Sequence, residues 1–140
     1  MTEKKITLPI DFGVTKTIDS HARNDIQLSQ FSDDDIGVDI GKETVNIFQE
    51  ILSKSRTIFW NGPMGVFEVD KFSYGTKEIT KAIAEMEVYS IVGGGDSVSA
   101  INKFSSLEKF NHISTGGGAS LEYLEGKALP GVNIYNQLII

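Results

Sequence analysis

Two glycine triplets are the residues of this chain whose type and spacing could do chemistry. The first, Gly93–Gly95, follows the apolar pair Ile91-Val92 and precedes Asp96 and Ser97, and the second is Gly116–Gly118. Because glycine has no side chain, the backbone N–H groups of such turns can approach an anion closely, and the N-terminus of a following helix adds partial positive charge. The two triplets therefore indicate a phosphate group held from two sides.

Asp96 narrows the kind of phosphate that would suit this site. Its carboxylate would repel a bare phosphate but would attract a phosphate that carries Mg²⁺. The same carboxylate could instead cap the helix that follows. The sequence favours the metal and leaves the cap as the alternative.

Two well-known phosphate-binding motifs do not fit. Neither triplet matches Gly-x-Gly-x-x-Gly with an acidic residue about 20 positions later, which disfavours dinucleotide binding. Gly37 and Gly41 are separated by three residues rather than four, and Glu43 follows the lysine, so this segment is not a P-loop. The alternative to any ligand is structural, since glycine turns also let a strand and a helix pack closely.

The chain offers no recognisable acid–base pair and no thiol nucleophile. It contains no cysteine, and neither His21 nor His112 stands in a pattern typical of hydrolases. We interpret both histidines as surface or packing residues. This composition is compatible with phosphoryl transfer, in which positioning and charge neutralisation carry most of the catalysis.

Strand and helix patterns alternate around the glycine turns. Apolar runs predict strands over Arg56–Trp60, Val88–Val92 and Phe110–Ile113. Helical spacing predicts four helices: one from Glu43, one over Gly75–Glu87, one from the first triplet to near Ser106, and a short one containing Leu121 and Leu124 with Gly126 as its cap. We expect one Rossmann-like, three-layer α/β/α domain with a mainly parallel sheet, whose ligands bind beyond the carboxyl ends of the strands.

Three segments are less regular. Asp33–Asp35 is typical of a solvated turn, because the alternating ligands of a calcium loop are missing. The loop Asn61–Glu68 is unusually apolar, and it either covers the core or lines a ligand pocket. Other expected features are strands over Lys5–Phe12, with a ladder that stops near Pro9, and over Thr15–Ile18 and Asp25–Leu28, a turn at Leu129–Val132, and an apolar tail over Asn133–Ile140.

Composition limits the possible functions. The 140 residues are 40% hydrophobic and carry a net charge of −6, which suits one globular domain and argues against a nucleic-acid surface. No apolar run is long enough to span a membrane, and Met1–Ile6 does not resemble a signal peptide. We expect a cytoplasmic domain that binds neither nucleic acid nor membrane.

Several stretches together resemble the phosphoglycerate kinase family. They are Phe59–Glu68, Gly93–Ser97 and Ser114–Glu122, with weaker similarity at Lys5–Phe12 and Leu124–Val132. The resemblance covers nearly the whole chain and implies transfer of a phosphoryl group between 1,3-bisphosphoglycerate and ADP, which gives 3-phosphoglycerate and ATP with Mg²⁺.

The resemblance also implies roles for individual residues. Asp96 would hold the Mg²⁺ of ADP or ATP, and Glu68 would hydrogen-bond the ribose hydroxyls. Ser97, where the family usually has Thr, would contact phosphate through its hydroxyl and N–H. The backbone amides of the catalytic glycines would surround the transferring phosphoryl group; these are Gly94, Gly95, Gly117 and Gly118. The remaining nucleotide-binding positions are Gly37, Val38, Gly62, Pro63, Met64, Phe67 and Gly93.

The chain resembles only the C-terminal part of the nucleotide-binding domain of that family. We therefore expect residues 1–140 to be a single partial domain, incomplete at its N-terminal side. The lysines here, including Lys42, Lys71, Lys77 and Lys103, lie outside the motifs and are poor substitutes for phosphate-binding lysines. We expect the chain alone to be inactive and to contact the phosphoglycerate only through a further N-terminal domain.

Two other expectations follow. An exposed sheet edge predicts that the isolated chain self-associates, whereas a full-length protein would be a monomer. The alternative function is a non-catalytic α/β module that binds a phosphate ligand.

Overall fold

The structure is a computed structural model that describes residues 6–20 and 22–138. Lys5, His21 and the last two residues of the expected tail lie outside the described residues. In the part that is described, no helix combines the length and the apolar character needed to cross a membrane.

Strands and helices alternate along the chain as the sequence pattern predicts. The strands are β1 (Asp11–Thr15), β2 (Asn24–Gln27), β3 (Ile36–Ile40), β4 (Thr57–Trp60), β5 (Tyr89–Gly93) and β6 (His112–Ser114). The helices are α1 (Lys42–Ser53), α2 (Tyr74–Glu85), α3 (Gly95–Phe104), α4 (Gly117–Leu124) and α5 (Pro130–Leu138). The α/β class is confirmed.

Within the described residues the strands form two sheets of three strands each. β4, β5 and β6 pair in parallel in that order, as expected. β2, β1 and β3 form a separate antiparallel sheet that the expectation of a mainly parallel sheet did not include. The first strand was predicted to end near Pro9, but β1 begins after it, because proline has no N–H to donate to a ladder. Only Thr15 of the predicted strand Thr15–Ile18 is extended, and Ile18 begins a single 3₁₀ turn.

The core lies on one face of the parallel sheet, where α2 and α3 cross between successive strands. Ile58, Trp60 and Val92 face this side because strand side chains alternate between the two faces. The helices contribute buried side chains to the same cluster, namely Ile79, Ile83, Ala100 and Ile101. This packing fixes where the carboxyl ends of β4, β5 and β6 lie.

Two buried carboxylates join the antiparallel sheet to the helices. Asp11, the first residue of β1, accepts hydrogen bonds from the backbone N–H groups of Glu43 (2.9 Å) and Thr44 (2.7 Å), and so caps α1. Asp39 accepts from the Gly75 N–H at the start of α2 (2.9 Å) and pairs with Arg23 Nη1 (2.6 Å). The N-termini of α1 and α2 are thus satisfied by the protein itself.

The C-terminal segment differs from the expectation. Gly126 adopts the predicted left-handed conformation, with φ of 80°, after α4. The predicted turn at Leu129–Val132 is wrong, because α5 starts at Pro130. Proline is well suited to the first position of a helix, where its missing N–H would have no partner.

Candidate functional site

The two glycine triplets lie side by side at the carboxyl ends of neighbouring strands. Gly93 of β5 is paired with Ser114 of β6, and the Gly94 N–H donates to the Ser114 carbonyl at 2.9 Å. A Cβ atom added to Gly117 would lie 2.9 Å from the Gly94 Cα. The N-termini of α3 and α4 therefore converge on one region, as the sequence pattern predicts.

Neither helix N-terminus is capped by a side chain, as far as the described residues show. α3 follows Gly94, which has φ of 92°, and α4 follows Gly116. A Cβ on Gly95 or Gly118 would meet no atom within 4 Å, so the space next to these residues is open. Uncapped N–H groups that face open space are the usual backbone arrangement for binding an anion.

Asn61, at the end of β4, extends its side chain towards the two turns. A Cβ on Gly117 would lie 2.5 Å from Asn61 Oδ1, and one on Gly93 would lie 2.7 Å from the same atom. A side chain at either position would force Asn61 to move, and one at Gly117 would also collide with the Gly94 backbone. Asn61 lies within the Phe59–Glu68 motif, but its position in the sequence does not assign it to the site. Only the meeting of three strand ends reveals its place.

Asp96 lies in the first turn of α3 and its side chain is exposed. Among the described residues, no cluster of three or more His, Cys, Asp or Glu could hold a metal ion. A single exposed carboxylate fits Mg²⁺ that arrives already bound to phosphate oxygens and water, since this ion keeps most of its ligands from those sources.

Ser97 is fully buried and its hydroxyl is already engaged. Ser97 Oγ donates to the Gly93 carbonyl (2.7 Å) and accepts from the Gly62 N–H (2.9 Å). The expected contact of this hydroxyl with phosphate is therefore not part of the observed geometry. The hydroxyl instead joins the first glycine turn to the start of the Asn61–Glu68 loop.

That loop is held at several points along its length. The Val66 N–H donates to the Val38 carbonyl at 2.9 Å, and Thr76 Oγ1 donates to the Met64 carbonyl at 2.5 Å. Gly65 has φ of 76° and lies against the backbone of β3, where a side chain would collide. The loop is therefore well defined before any ligand binds.

The loop covers the core with some of its apolar side chains and leaves other groups exposed, so its role in covering the core is confirmed and a ligand pocket at the loop stays a prediction. Val38 and Phe67 are buried, at 0% and 5% exposure, and contribute packing rather than an open surface. Met64 is half-buried against the core. Glu68 and Gly37 are exposed, and Gly62 and Pro63 are half-buried.

An open cavity of about 600 Å³ lies on the other face of the parallel sheet. Apolar side chains dominate its lining, including Phe59, Ile91, Tyr123 and Leu124. Ser114 and Gly116 also border it, so it adjoins the second glycine turn. Its apolar lining does not suit a phosphate group.

The chain matches known proteins over most of its length. The family model for phosphoglycerate kinase matches residues 1–127. A phosphoglycerate kinase from Finegoldia magna is 51% identical over 134 residues, which are 95% of this chain and 34% of that protein. One from Dictyoglomus turgidum is 54% identical over 129 residues, which are 91% of this chain and 33% of that protein.

Solved structures of phosphoglycerate kinases also superpose on this chain. The phosphoglycerate kinase of Coxiella burnetii superposes with a TM-score of 0.84 at 38% identity, over 91% of this chain and 33% of that one. The enzyme of Pyrococcus horikoshii superposes with a TM-score of 0.77 at 41% identity, over 89% of this chain and 31% of that one. The chain thus spans about a third of the length of the relatives it matches, and it belongs to the phosphoglycerate kinase family.

Proposed function

We propose that this chain forms part of the Mg-ADP and Mg-ATP site of a phosphoglycerate kinase. In the complete enzyme the reaction transfers a phosphoryl group between 1,3-bisphosphoglycerate and ADP to give 3-phosphoglycerate and ATP. The observation that carries this proposal is the convergence of two uncapped helix N-termini at the ends of β5 and β6. Family membership supplies the chemistry for which such a site would be used.

The backbone N–H groups at the two turns would stabilise the transferring phosphoryl group. Gly95 would supply an amide from α3, and Gly117 and Gly118 would supply amides from α4. The Gly94 N–H already donates to the Ser114 carbonyl, so the amide contact expected for Gly94 is not part of the observed geometry. Gly95 is fixed by α3, which packs on the core, and Gly117 is fixed by its close approach to Gly94 and Asn61. These donors therefore need little reorganisation as charge develops in the transition state. The Asn61 side chain, which lies between the turns, is placed to orient the same phosphate.

The remaining groups would bind the rest of the nucleotide. Asp96 would hold Mg²⁺, an ion that neutralises phosphate charge when it is bound. Glu68 would accept hydrogen bonds from the ribose hydroxyls. Gly37, Gly62 and Pro63 would contribute the more exposed part of the nucleoside pocket, and Val38, Met64 and Phe67 its more buried part. Ser97 would act through its backbone N–H and by holding Gly62.

We further propose that the chain alone does not complete the transfer. The phosphoglycerate would be bound by a further domain, and closure of two domains around the substrates is what excludes water during such reactions. Lys103 does not act as a phosphate-binding cation in this arrangement, since it already binds the Phe67 and Glu68 carbonyls. A cytoplasmic location fits a glycolytic role, and self-association of the chain alone fits the apolar surface it leaves exposed.

Calorimetric titration of Mg-ADP into the chain tests this function. We expect weak binding that decreases when Mg²⁺ is removed, together with no turnover in an assay coupled to ATP formation. Binding that does not respond to Mg²⁺ would favour a non-catalytic phosphate-binding module. No heat at millimolar nucleotide would contradict nucleotide binding altogether.

A further inference from the structure

Lys103 lies outside every motif of the resemblance, yet its ammonium group makes three contacts with the segment Phe67–Asp70. Lys103 Nζ donates to the Phe67 carbonyl and to the Glu68 carbonyl, both at 3.0 Å. It also pairs with Asp70 Oδ1 at 2.7 Å. An ammonium group has three N–H donors, so these contacts use all of them.

These contacts fix the backbone on both sides of Glu68. Two successive carbonyls directed at one ammonium define the orientation of the peptide planes that flank the residue. Phe67 is buried and anchors one side, and the turn in which the Val69 N–H donates to the Val66 carbonyl (3.1 Å) closes the other. Because the backbone sets the direction of the Cα–Cβ bond, these contacts define the direction in which the exposed Glu68 side chain leaves the backbone.

The charge pair alone does not explain this arrangement. Asp70 is 90% exposed, and ion pairs that are open to solvent contribute little to stability. The two carbonyl contacts are what distinguish Lys103 from an ordinary surface lysine. Their effect is on the geometry of the loop rather than on the fold as a whole.

Lys103 also connects the two halves of the proposed nucleotide site. Residues Gly95–Phe104 form one continuous helix, α3, whose N-terminus faces the phosphate region and whose last turn carries Lys103. A cation is also favoured at this end of a helix. The rigid helix therefore sets the distance between the phosphate-binding amides and the loop that carries Glu68.

We propose that Lys103 is a positioning residue for recognition of the nucleotide ribose, because it holds the backbone from which Glu68 meets the ribose hydroxyls. This inference rests on the proposed role of Glu68 in binding the ribose, and it assigns a role to a second residue, Lys103. Lys103 itself touches no nucleotide atom in this arrangement.

The test compares Mg-ADP with Mg-2′,3′-dideoxy-ADP, which lacks the ribose hydroxyls, by calorimetric titration of the chain. Lys103→Met is expected to weaken Mg-ADP about tenfold, the effect of one lost hydrogen bond to a charged group, and to leave the dideoxy nucleotide unchanged. Lys103→Arg should recover part of the loss. In a Glu68→Gln background, Lys103→Met should have no further effect.

Lys81→Met is the matched control. Lys81 is an exposed lysine of α2 whose nearest carboxylate, on Glu78, is 3.9 Å away, and its substitution should change neither affinity. Equal losses for both nucleotides in Lys103→Met would indicate a general structural role and would overturn the proposal. An unchanged affinity for Mg-ADP would overturn it as well.

A second measurement separates failure of this inference from failure of the proposed function. If the wild-type chain binds no Mg-ADP, the proposed function fails, and amide hydrogen exchange then tests Lys103 without a ligand. Lys103→Met should speed exchange at the Val69 amide and leave the amides of α3 unchanged. Unchanged protection at Val69 would show that Lys103 does not hold the loop, and the positioning role would be wrong.

Discussion

Gly117 and Asn61 are in such close contact that a Cβ on the glycine would lie 2.5 Å from the asparagine Oδ1. The second glycine turn and the end of β4 therefore depend on each other, although they are far apart in the chain. This contact closes the phosphate region on the side of β4. It also provides the first test of the site.

Gly117→Ala should displace either Asn61 or the Gly94 backbone, and we expect Mg-ADP affinity to fall about tenfold. Gly131→Ala is the control, because a Cβ there also meets no atom within 4 Å and the residue lies in α5, outside the proposed site. The control should keep its affinity and gain up to about 1 kcal/mol of stability, because alanine is the better helix former. Titration and thermal unfolding of both variants measure these effects. Equal affinities in the two variants would contradict the arrangement.

Asp96→Asn should remove most of the effect of Mg²⁺ on ADP binding, because the site offers one carboxylate to the ion. We expect the affinity measured with Mg²⁺ to fall about tenfold. The affinity measured with EDTA should not fall and should rise slightly, because the variant no longer repels the bare phosphate. Asp34→Asn makes the same change of charge in an exposed turn and should behave as the wild type. A loss that is equal with and without Mg²⁺ would mean that Asp96 does not act through the metal ion.

Asp39→Asn should destabilise the chain by about 3 kcal/mol, because it breaks a buried ion pair with Arg23. The same carboxylate oxygen also accepts from the Gly75 N–H at the start of α2. Asp25→Asn is the control: this exposed partner of Arg23 should contribute less than about 1 kcal/mol. Urea denaturation gives both values, and similar losses would show that burial of Asp39 has no special effect.

The cap at the start of α1 predicts a loss of stability in acid. Burial raises the pKa of Asp11, but hydrogen bonds from Thr44 and Glu43 outweigh it and hold the pKa below its ordinary value of 3.8. A lowered folded-state pKa stabilises the fold above the unfolded pKa, and this contribution is lost as the pH falls below about 4. Asp11→Asn should therefore be less stable at neutral pH and should lose less stability between about pH 5 and pH 2. Parallel stability profiles for the two proteins would contradict the cap.

The apolar surface around α4 predicts self-association of the chain. Tyr123 and Leu124 are 61% and 63% exposed, and they line a cavity beside the parallel sheet. Leu124→Gln should shift sedimentation velocity profiles towards the monomer, whereas Glu122→Gln in the same helix should not. If neither variant changes the profile, association occurs elsewhere, for example through the edge of β4.

Local chemistry in the sequence was enough to predict the α/β class, the glycine turns and most helices. Glycine triplets after apolar runs mark strand–turn–helix junctions, and Gly126 marks a helix end, because these conformations depend on the residues themselves. The antiparallel sheet was missed because β2 and β3 place Asn, Asp and Gly among few apolar residues, and these residue types are uncommon in strands. The helix that starts at Pro130 was interpreted as a turn, because proline is common both in turns and at the first position of a helix.

The tertiary structure alone decided how the site is assembled. It brought Gly94 and Gly117 into contact, placed Asn61 between the turns, buried Val38 and Phe67, and turned Lys103 towards the loop of Glu68. Such relationships depend on how strands pair and helices pack, since residues far apart in the chain become neighbours only when the core forms. The sequence by itself determined which groups could bind a phosphate, and the packing of the parallel sheet determined that they face it together.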